Sequence, residues 1–170
     1  ASMRPGGTGC RFGFFLRHIF RQSTVKSIEL LAPAKDLQAA VAAVDYGADA
    51  LYIGGARFGA RHAAGNSAEE IARAVEYAHQ YGVRVHATLN TLLYDGELAE
   101  AERQARELIA AGVDALILAD LGVFALAGKY APRCERHVST QQSIANYECA
   151  RAWHDLGASR VVLARELSLT

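Results

Sequence analysis

The 170-residue sequence predicts an α/β fold with six parallel strands and five helices, the N-terminal six βα units' worth of a (β/α)8 TIM-like barrel. Strand-like apolar runs alternate strictly with segments of helical periodicity, and most connections between them are short. In four places a helix ends on a glycine and a strand follows, because glycine adopts the left-handed conformation without a steric penalty. These glycines are Gly47, Gly82, Gly112 and Gly157, separated by 35, 30 and 45 residues.

The first strand is predicted at 28–32, "IELLA", and Pro33 closes it because proline lacks a backbone N–H. Asp36 follows as the N-cap of a helix over 37–46. The segment after this strand is "APAKD" and contains no Gly-x-Gly-x-x-Gly. A dinucleotide-binding Rossmann domain is therefore disfavoured.

Helical periodicity is strongest in 67–81, where Ser67 and Glu70 have the spacing of a capping box. The second, third and fourth strands follow the first three helix-ending glycines. The remaining predicted helices are 97–111, 121–131 and 145–156, and the last two predicted strands are 135–140 and 160–164.

Two architectures accommodate this order of elements, an open doubly wound sheet and a closed barrel. A complete barrel has about 250 residues and eight strands. We therefore interpret residues 28–170 as a partial barrel domain, truncated after the sixth strand. The two open edges of such a sheet invite pairing with another chain, so self-association is predicted as a consequence of the truncation.

Composition narrows the class of protein further. The formal net charge is zero, but residues 1–26 carry five basic side chains and no acidic one, so they are predicted to be a basic, poorly ordered extension. The three cysteines are an odd number without close spacing, which argues against a disulfide framework and indicates a cytoplasmic protein. No apolar run reaches the roughly 18 residues that span a bilayer, so no membrane is expected as a partner.

Polar side chains are predicted inside the barrel, because successive strand residues alternate between the lumen and the helix layer. In the third strand Val83, Val85, Ala87 and Leu89 would meet the helices. Unpaired polar groups in the lumen are costly, so they must satisfy one another or a ligand. The predicted lumenal residues are Glu29, Tyr52, His86, Thr88, Asn90, His137, Ser139 and Gln141.

Barrel chemistry lies at the C-terminal ends of the strands. Four residues at these ends are the predicted catalytic set: Asn90, Asp120, Arg165 and Glu166. Ser139 and Gln141 follow the fifth strand and are predicted to bind substrate. Asp120 either pairs with Arg165 or forms the N-cap of the next helix.

The loop after the second strand, "GGARFGARHAAGNS", is longer than the roughly 2–6 residues usual for such connections. Arg57, Arg61 and Asn66 lie on it and are predicted to bind substrate, since arginines suit an anionic or planar ligand. The alternative is a solvated loop without a ligand. No His-x-His or Cys-x-x-Cys is present, so no metal site is predicted.

Six segments carry a family resemblance: "ELLAPAKDL", "YGADALYIGGARFGARHAAGNS", "HATLNT", "GVDALILADLG", "HVSTQ" and "ASRVVLARELSL". Together they resemble the collagenase-like peptidase family, the "U-thirty-two" group of unassigned catalytic type. The resemblance runs in order over 28–170 and leaves 1–26 outside. The loop "RFGARHAAGNS" is most similar to members that act on ribosomal RNA.

The resemblance implies two competing functions. The family name implies a peptidase with a protein substrate, whereas the better-understood branches imply oxygen-independent hydroxylation of RNA bases or quinone precursors, supported by an iron–sulfur cluster. Those members place the cluster cysteines beyond the sixth strand, so no cofactor is expected in this fragment and the cluster would belong to the full-length protein. Neither Gly-x-Ser-x-Gly nor His-Glu-x-x-His is present. A non-catalytic binding barrel is the third alternative.

Overall fold

The computed structural model describes residues 28–60 and 65–168, which form one layer of six strands covered by five α-helices. The helices are α1 (Leu37–Asp45), α2 (Ala68–Gln80), α3 (Leu98–Ala110), α4 (Leu121–Tyr130) and α5 (Tyr147–Asp155). The strands are β1 (Leu31–Ala34), β2 (Ala50–Gly54), β3 (Arg84–Leu89), β4 (Ala115–Leu118), β5 (Glu135–Val138) and β6 (Arg160–Val161). Two short 3₁₀ helices, Asp95–Glu97 and Thr140–Gln142, precede α3 and follow β5.

The sheet is parallel throughout, and its strands stand in the order of the chain from β1 to β6. Sequential order with a helix between every two strands is the arrangement of a (β/α)8 barrel and excludes the doubly wound alternative, in which the strand order reverses. The predicted partial barrel is confirmed.

The inner face of the sheet is concave, because residues of the first and last strands meet across the lumen. Arg160 of β6 donates to the carboxylate of Glu29, which lies just before β1, although 131 residues separate them in sequence. The outer face packs on the helices. Val83, Val85, Ala87 and Leu89 are fully buried there, as the alternation predicted.

The ends of the helices follow the sequence closely. The four predicted glycines have φ between 69° and 96° and follow the first, second, third and fifth α-helices. The Asp36 carboxylate accepts from the Ala39 N–H at 2.9 Å, and Ser67 and Glu70 form the predicted capping box at the start of α2. These are local interactions, which the sequence pattern is able to specify.

Three strands differ in their bounds from the prediction: β1, β5, which ends at Val138 instead of residue 140, and β6. Strand β1 lies about three residues further along the chain, and Pro33 is within it, opposite Tyr52. Proline is tolerated there because β1 is an edge strand with one unpaired side. Strand β6 ends at Val161 instead of residue 164, because β5 ends at Val138 and turns into the 3₁₀ helix, leaving no regular partner.

Among the described residues, no helix is long and apolar enough to cross a membrane. The prediction of a basic, poorly ordered extension at 1–26 falls outside the described residues.

We expect this chain to self-associate through its open edges. Among the described residues, β1 pairs only with β2 and β6 only with β5, and Ile28, three residues before β1, is 94% exposed. Light scattering at low micromolar concentration should give a mass above that of one chain, and Ile28→Lys should lower it because an edge lysine opposes strand pairing. Leu92→Lys, at another exposed leucine away from both edges, is the matched control. A monomer at every concentration would contradict this expectation.

Candidate functional site at the C-terminal end of the barrel

An ionic network lies in the lumen at the N-terminal end of the barrel. The Glu29 carboxylate accepts from Arg160 Nη1 at 2.5 Å and from Nη2 at 3.2 Å, and it also accepts from Arg84. Arg84 also donates to Glu135 at 3.4 Å. The hydrogen bond from Arg160 lowers the pKa of Glu29 to about 2, with Arg84 acting in the same direction.

Two buried histidines form the next level of the lumen. The rings of His86 and His137 meet edge to face, with 4.7 Å between their centroids. His137 Nε2 lies 2.8 Å from a Glu135 carboxylate oxygen, whereas neither ring nitrogen of His86 has a hydrogen-bond partner among the described residues. Burial lowers the pKa of His86 to about 4, and the neighbouring His137 acts in the same direction, so His86 is neutral at pH 7.

A cavity of about 610 Å³ lies between the two histidines and solvent, at the C-terminal ends of the strands. In TIM-like barrels this end carries the chemistry, and the volume lies within the usual range for small-molecule sites. Among the described residues of its wall, Lys35 and Arg165 carry the cationic side chains, and none carries a carboxylate. The other lining residues are Leu31, Pro33, Ala34, Tyr52, Gly54, Ala60, Thr88, Asn90, Ile117, Ser139, Thr140, Gln141 and Val162.

Asn90, at the wall of this cavity, forms hydrogen bonds that connect the end of β3 to the loop after β2 and to the end of β5. Its Oδ1 accepts from the Ala60 N–H at 2.9 Å, which holds the loop after β2 against the end of β3. Its Nδ2 donates to the Ser139 hydroxyl at 3.2 Å, which joins β3 to the end of β5. The Asn90 N–H also donates to the carbonyl of Phe58, a buried residue held at a φ of 59°. Asn90 therefore positions the loop that reaches the cavity.

The cavity brings together four of the predicted site residues, Asn90, Ser139, Gln141 and Arg165. Glu166 follows Arg165 but is exposed and does not line the cavity. The prediction for Arg61 falls outside the described residues, because residues 61–64 are not among them.

The predicted pair between Asp120 and Arg165 is wrong. The Asp120 carboxylate caps α4, accepting from the Val123 N–H at 3.0 Å, and it accepts from the Leu93 N–H at 3.4 Å. No ion pair joins it to Arg165 within the described part of the chain. The N-cap alternative is the one that the structure adopts, because the backbone N–H groups at the start of α4 lie only three residues away.

The two described residues predicted to bind substrate from the loop after β2 lie outside the cavity wall. Arg57 pairs with Glu100 of α3 at 2.6 Å. Asn66 is buried and its Nδ2 donates to the carbonyls of Lys35 and Gly54, both at 2.9 Å. These two hydrogen bonds hold the end of this loop against the ends of β1 and β2.

Lys35 is a cavity residue that the sequence analysis did not select. It follows β1 directly, as Asn90 follows β3 and Ser139 follows β5. Placing the end of the first strand before Pro33 concealed this position. A strand that included the proline, as an edge strand permits, would have identified it.

The two described cysteines do not fit an iron–sulfur cluster. Cys134 precedes β5 and Cys149 lies in the first turn of α5, so they are at opposite ends of the barrel. Cluster ligation requires thiolates, but burial raises the pKa of Cys134 to about 11. Its Sγ faces the backbone carbonyls of Val113 and Asp114 at 3.9 and 3.8 Å.

Comparison with known proteins supports this fold and identifies the family of the chain. The sequence profile of peptidase family U32 matches residues 35–170. The chain belongs to this family. A solved U32 peptidase superposes with a TM-score of 0.63 at 15% identity, covering 84% of this chain and 60% of that one, which supports the barrel fold.

Two of the curated relatives with high identity are named for RNA modification. The chain is 49% identical over 142 residues to the 23S rRNA 5-hydroxycytidine C2501 synthase of Escherichia coli, covering 84% of this chain and 21% of that protein. It is 42% identical over 144 residues to tRNA hydroxylation protein P1 of Bacillus subtilis, covering 84% of this chain and 34% of the relative. The chain therefore spans about a fifth to a third of the length of these two relatives.

The chemistry of the cavity suits a polar, anionic ligand. Among its described residues, the wall combines two cations with two amides, three hydroxyls and one phenol, and the buried His86 beneath it is neutral. Amides and hydroxyls can hydrogen-bond the edge of a nucleobase, and guanidinium groups bind phosphate. The Ser139 hydroxyl contacts Asn90 and the Gln141 N–H, and these groups do not activate a serine for proteolysis.

Proposed function

We propose that this family U32 chain forms the barrel of an RNA-hydroxylating enzyme, with a pyrimidine base of the RNA entering the cavity at the C-terminal end. The main support is the cavity itself, which lies where barrel enzymes place their chemistry and combines Asn90, Ser139 and Gln141 with the cation of Arg165. The identity of 49% to a 23S rRNA 5-hydroxycytidine synthase favours a cytidine of ribosomal RNA as substrate.

Enzymes that modify a base in structured RNA must bring it out of its stack. A cavity of about 610 Å³ is large enough to admit one nucleoside. In this proposal Asn90, Ser139 and Gln141 contact the edge of the base, and Arg165 and Lys35 contact the flanking phosphates. RNA is the partner, and the cytoplasm, where ribosomal RNA is found, is the location.

The resemblance implies an iron–sulfur cluster. We propose that the whole enzyme binds it outside the described barrel. Cys134 and Cys149 are separated by the length of the barrel and do not offer it a site. The residues of the described barrel would bind and orient the RNA base.

A chimera tests the proposal on this chain. Residues 28–168 replace the matching segment of the E. coli 23S rRNA synthase, and the chimera is expressed in cells that lack that enzyme. We expect 5-hydroxycytidine to return to 23S rRNA, because the substituted barrel supplies the base-binding cavity. The measurement is mass spectrometry of nucleosides from digested 23S rRNA.

The intact E. coli enzyme is the positive control, and a chimera in which the exposed Arg133 is changed to alanine controls for handling of the graft. A chimera that accumulates like the intact enzyme but leaves 23S rRNA unmodified would contradict the ribosomal assignment. Hydroxylated nucleosides in tRNA alone would reassign the chain to the tRNA branch.

A further inference from the structure

We infer that Glu29 is a positioning residue that fixes the separation of β1 and β6, and through it the width of the cavity at the opposite end of the barrel. The inference concerns the shape of the cavity and does not depend on what the cavity binds. It rests on the ionic contacts of Glu29 and on the way the two edge strands contribute to the cavity wall.

Glu29 is the hydrogen-bonded link between the β1 end of the sheet and β6 across the lumen. Arg160 donates to both of its carboxylate oxygens, a two-point contact that fixes geometry as well as distance. The side chains are only partly exposed, 24% for Glu29 and 32% for Arg160, so solvent screens the pair less than it screens a surface ion pair.

Among the described residues, no strand pairing joins β1 to β6. Strand β1 pairs with β2, and β6 pairs with β5 over only two residues, His137 with Arg160 and Val138 with Val161. In a closed barrel, hydrogen bonds between strands hold the curvature. Within the described residues, the ion pair joins β6 to the segment that precedes β1.

The same two strands form facing walls of the cavity. Leu31 and Pro33 of β1 line it on one side, and Val162 and Arg165, which follow β6, line it on the other. Residues 29, 31 and 33 share one face of the first strand, as 160 and 162 share one face of the last, because side chains alternate. A change in the tilt of either strand at Glu29 or Arg160 therefore moves the wall of the cavity.

Replacing Glu29 also leaves two cations unbalanced. Arg84 and Arg160 both donate to this carboxylate. Without it, the two guanidinium groups face each other in the lumen, and Arg84 keeps its hydrogen bond to Glu135. Repulsion between Arg84 of β3 and Arg160 of β6 favours separation of these two strands across the lumen, and β6 also loses its attraction to the segment before β1. The expected direction of the change is therefore a wider cavity.

The test is a distance measurement between spin labels at Gln38→Cys, at the start of α1, and Leu163→Cys, after β6. Both positions are exposed, and the native cysteines are replaced. The labelled 170-residue chain is diluted into an excess of unlabelled chain, so that only distances within one chain are measured. We expect one narrow distribution in the parent and, in Glu29→Ala, a broader one with a longer mean.

Glu135→Ala is the matched control, because it removes a lumenal carboxylate whose hydrogen bonds go to Arg84 of β3 and His137 of β5. Its distribution should stay close to that of the parent. If Glu29→Ala does not fold, judged by circular dichroism, Arg160→Met removes the same link and leaves the Glu29 carboxylate paired with Arg84. A folded variant of either kind with the parent distribution would overturn the inference, whether or not the proposed RNA hydroxylation is correct.

Discussion

Replacing Arg165 by alanine in the chimeric synthase is expected to slow cytidine hydroxylation about ten- to hundredfold, because a hydrogen bond to a charged group contributes roughly 1.5–3 kcal/mol. Arg165 lies in the cavity wall, and the described residues show no ion pair that competes for its guanidinium. Its charge is thus available to an RNA phosphate, which an arginine can bind through two parallel hydrogen bonds.

The measurement is the initial rate at which 5-hydroxycytidine accumulates in 23S rRNA after expression of the chimera begins. Arg165→Lys keeps the charge but loses the two-point geometry, so its rate should lie between those of the parent and Arg165→Ala. Arg133→Ala removes an exposed arginine from the turn before β5, at the other end of the barrel, and should leave the rate unchanged.

A normal rate in Arg165→Ala would show that this cavity does not hold the reacting part of the RNA. Lys35→Ala then separates two explanations, because Lys35 is the second cation among the described residues of the wall. If both variants react normally, the base enters elsewhere on the barrel. If only Lys35→Ala is slow, the phosphate lies on the β1 side of the cavity.

The free energy of unfolding is expected to fall by up to about 3 kcal/mol as the pH is lowered from 6.5 to 4, because His86 protonates in the unfolded chain before it protonates in the folded one. Burial holds the pKa of folded His86 at about 4, against 6.5 for the free side chain. Above pH 6.5 the ring is neutral in both states and contributes no pH dependence. Below pH 4 it is protonated in both.

The lowered pKa of Glu29, about 2, continues the same trend at lower pH. A carboxyl whose folded pKa is depressed stabilises the protein above its unfolded pKa, and this stabilisation is lost as the pH falls from about 4.5 towards 2. The burial that lowers the pKa of His137 adds to the loss in the upper window.

His86→Leu isolates the contribution of this ring. Denaturant unfolding between pH 4 and 7 should show a flatter pH dependence in the variant, with an unfolding free energy at pH 7 equal to or above that of the parent. The reason is that both ring nitrogens of His86 are buried without a partner among the described residues, and leucine removes that desolvation cost. His154→Gln is the control, since His154 is exposed on α5. An unchanged pH dependence in His86→Leu would show that water satisfies the ring in solution.

Local pattern was enough to predict the order of elements and the faces of the strands. The glycines that end four helices, the caps at Asp36 and Ser67 and the inward direction of His86 and Asn90 all depend on neighbours within a few residues or on the two-residue period of a strand. The family resemblance also depends on short segments in order, and it is confirmed.

The competition for Asp120 shows where local reasoning becomes ambiguous. A carboxylate at the end of a strand can point to a ligand or cap the next helix, and the sequence contains both possibilities. The structure decides for the cap, with Val123 and Leu93 as donors. The physical reason is the short path to Val123, whose N–H lies within reach without any folding of distant segments.

By itself, the sequence determined the partial barrel, its helix ends and the polar lumen, because these follow from the periodicity of strands and helices. Only the tertiary structure decided the partners that lie far apart along the chain. In the folded chain, Glu29 pairs with Arg160, and Arg57 pairs with Glu100 instead of lining the cavity. Such pairs depend on the curvature of the whole sheet and on the packing of α3 against the loop after β2, which no local pattern encodes.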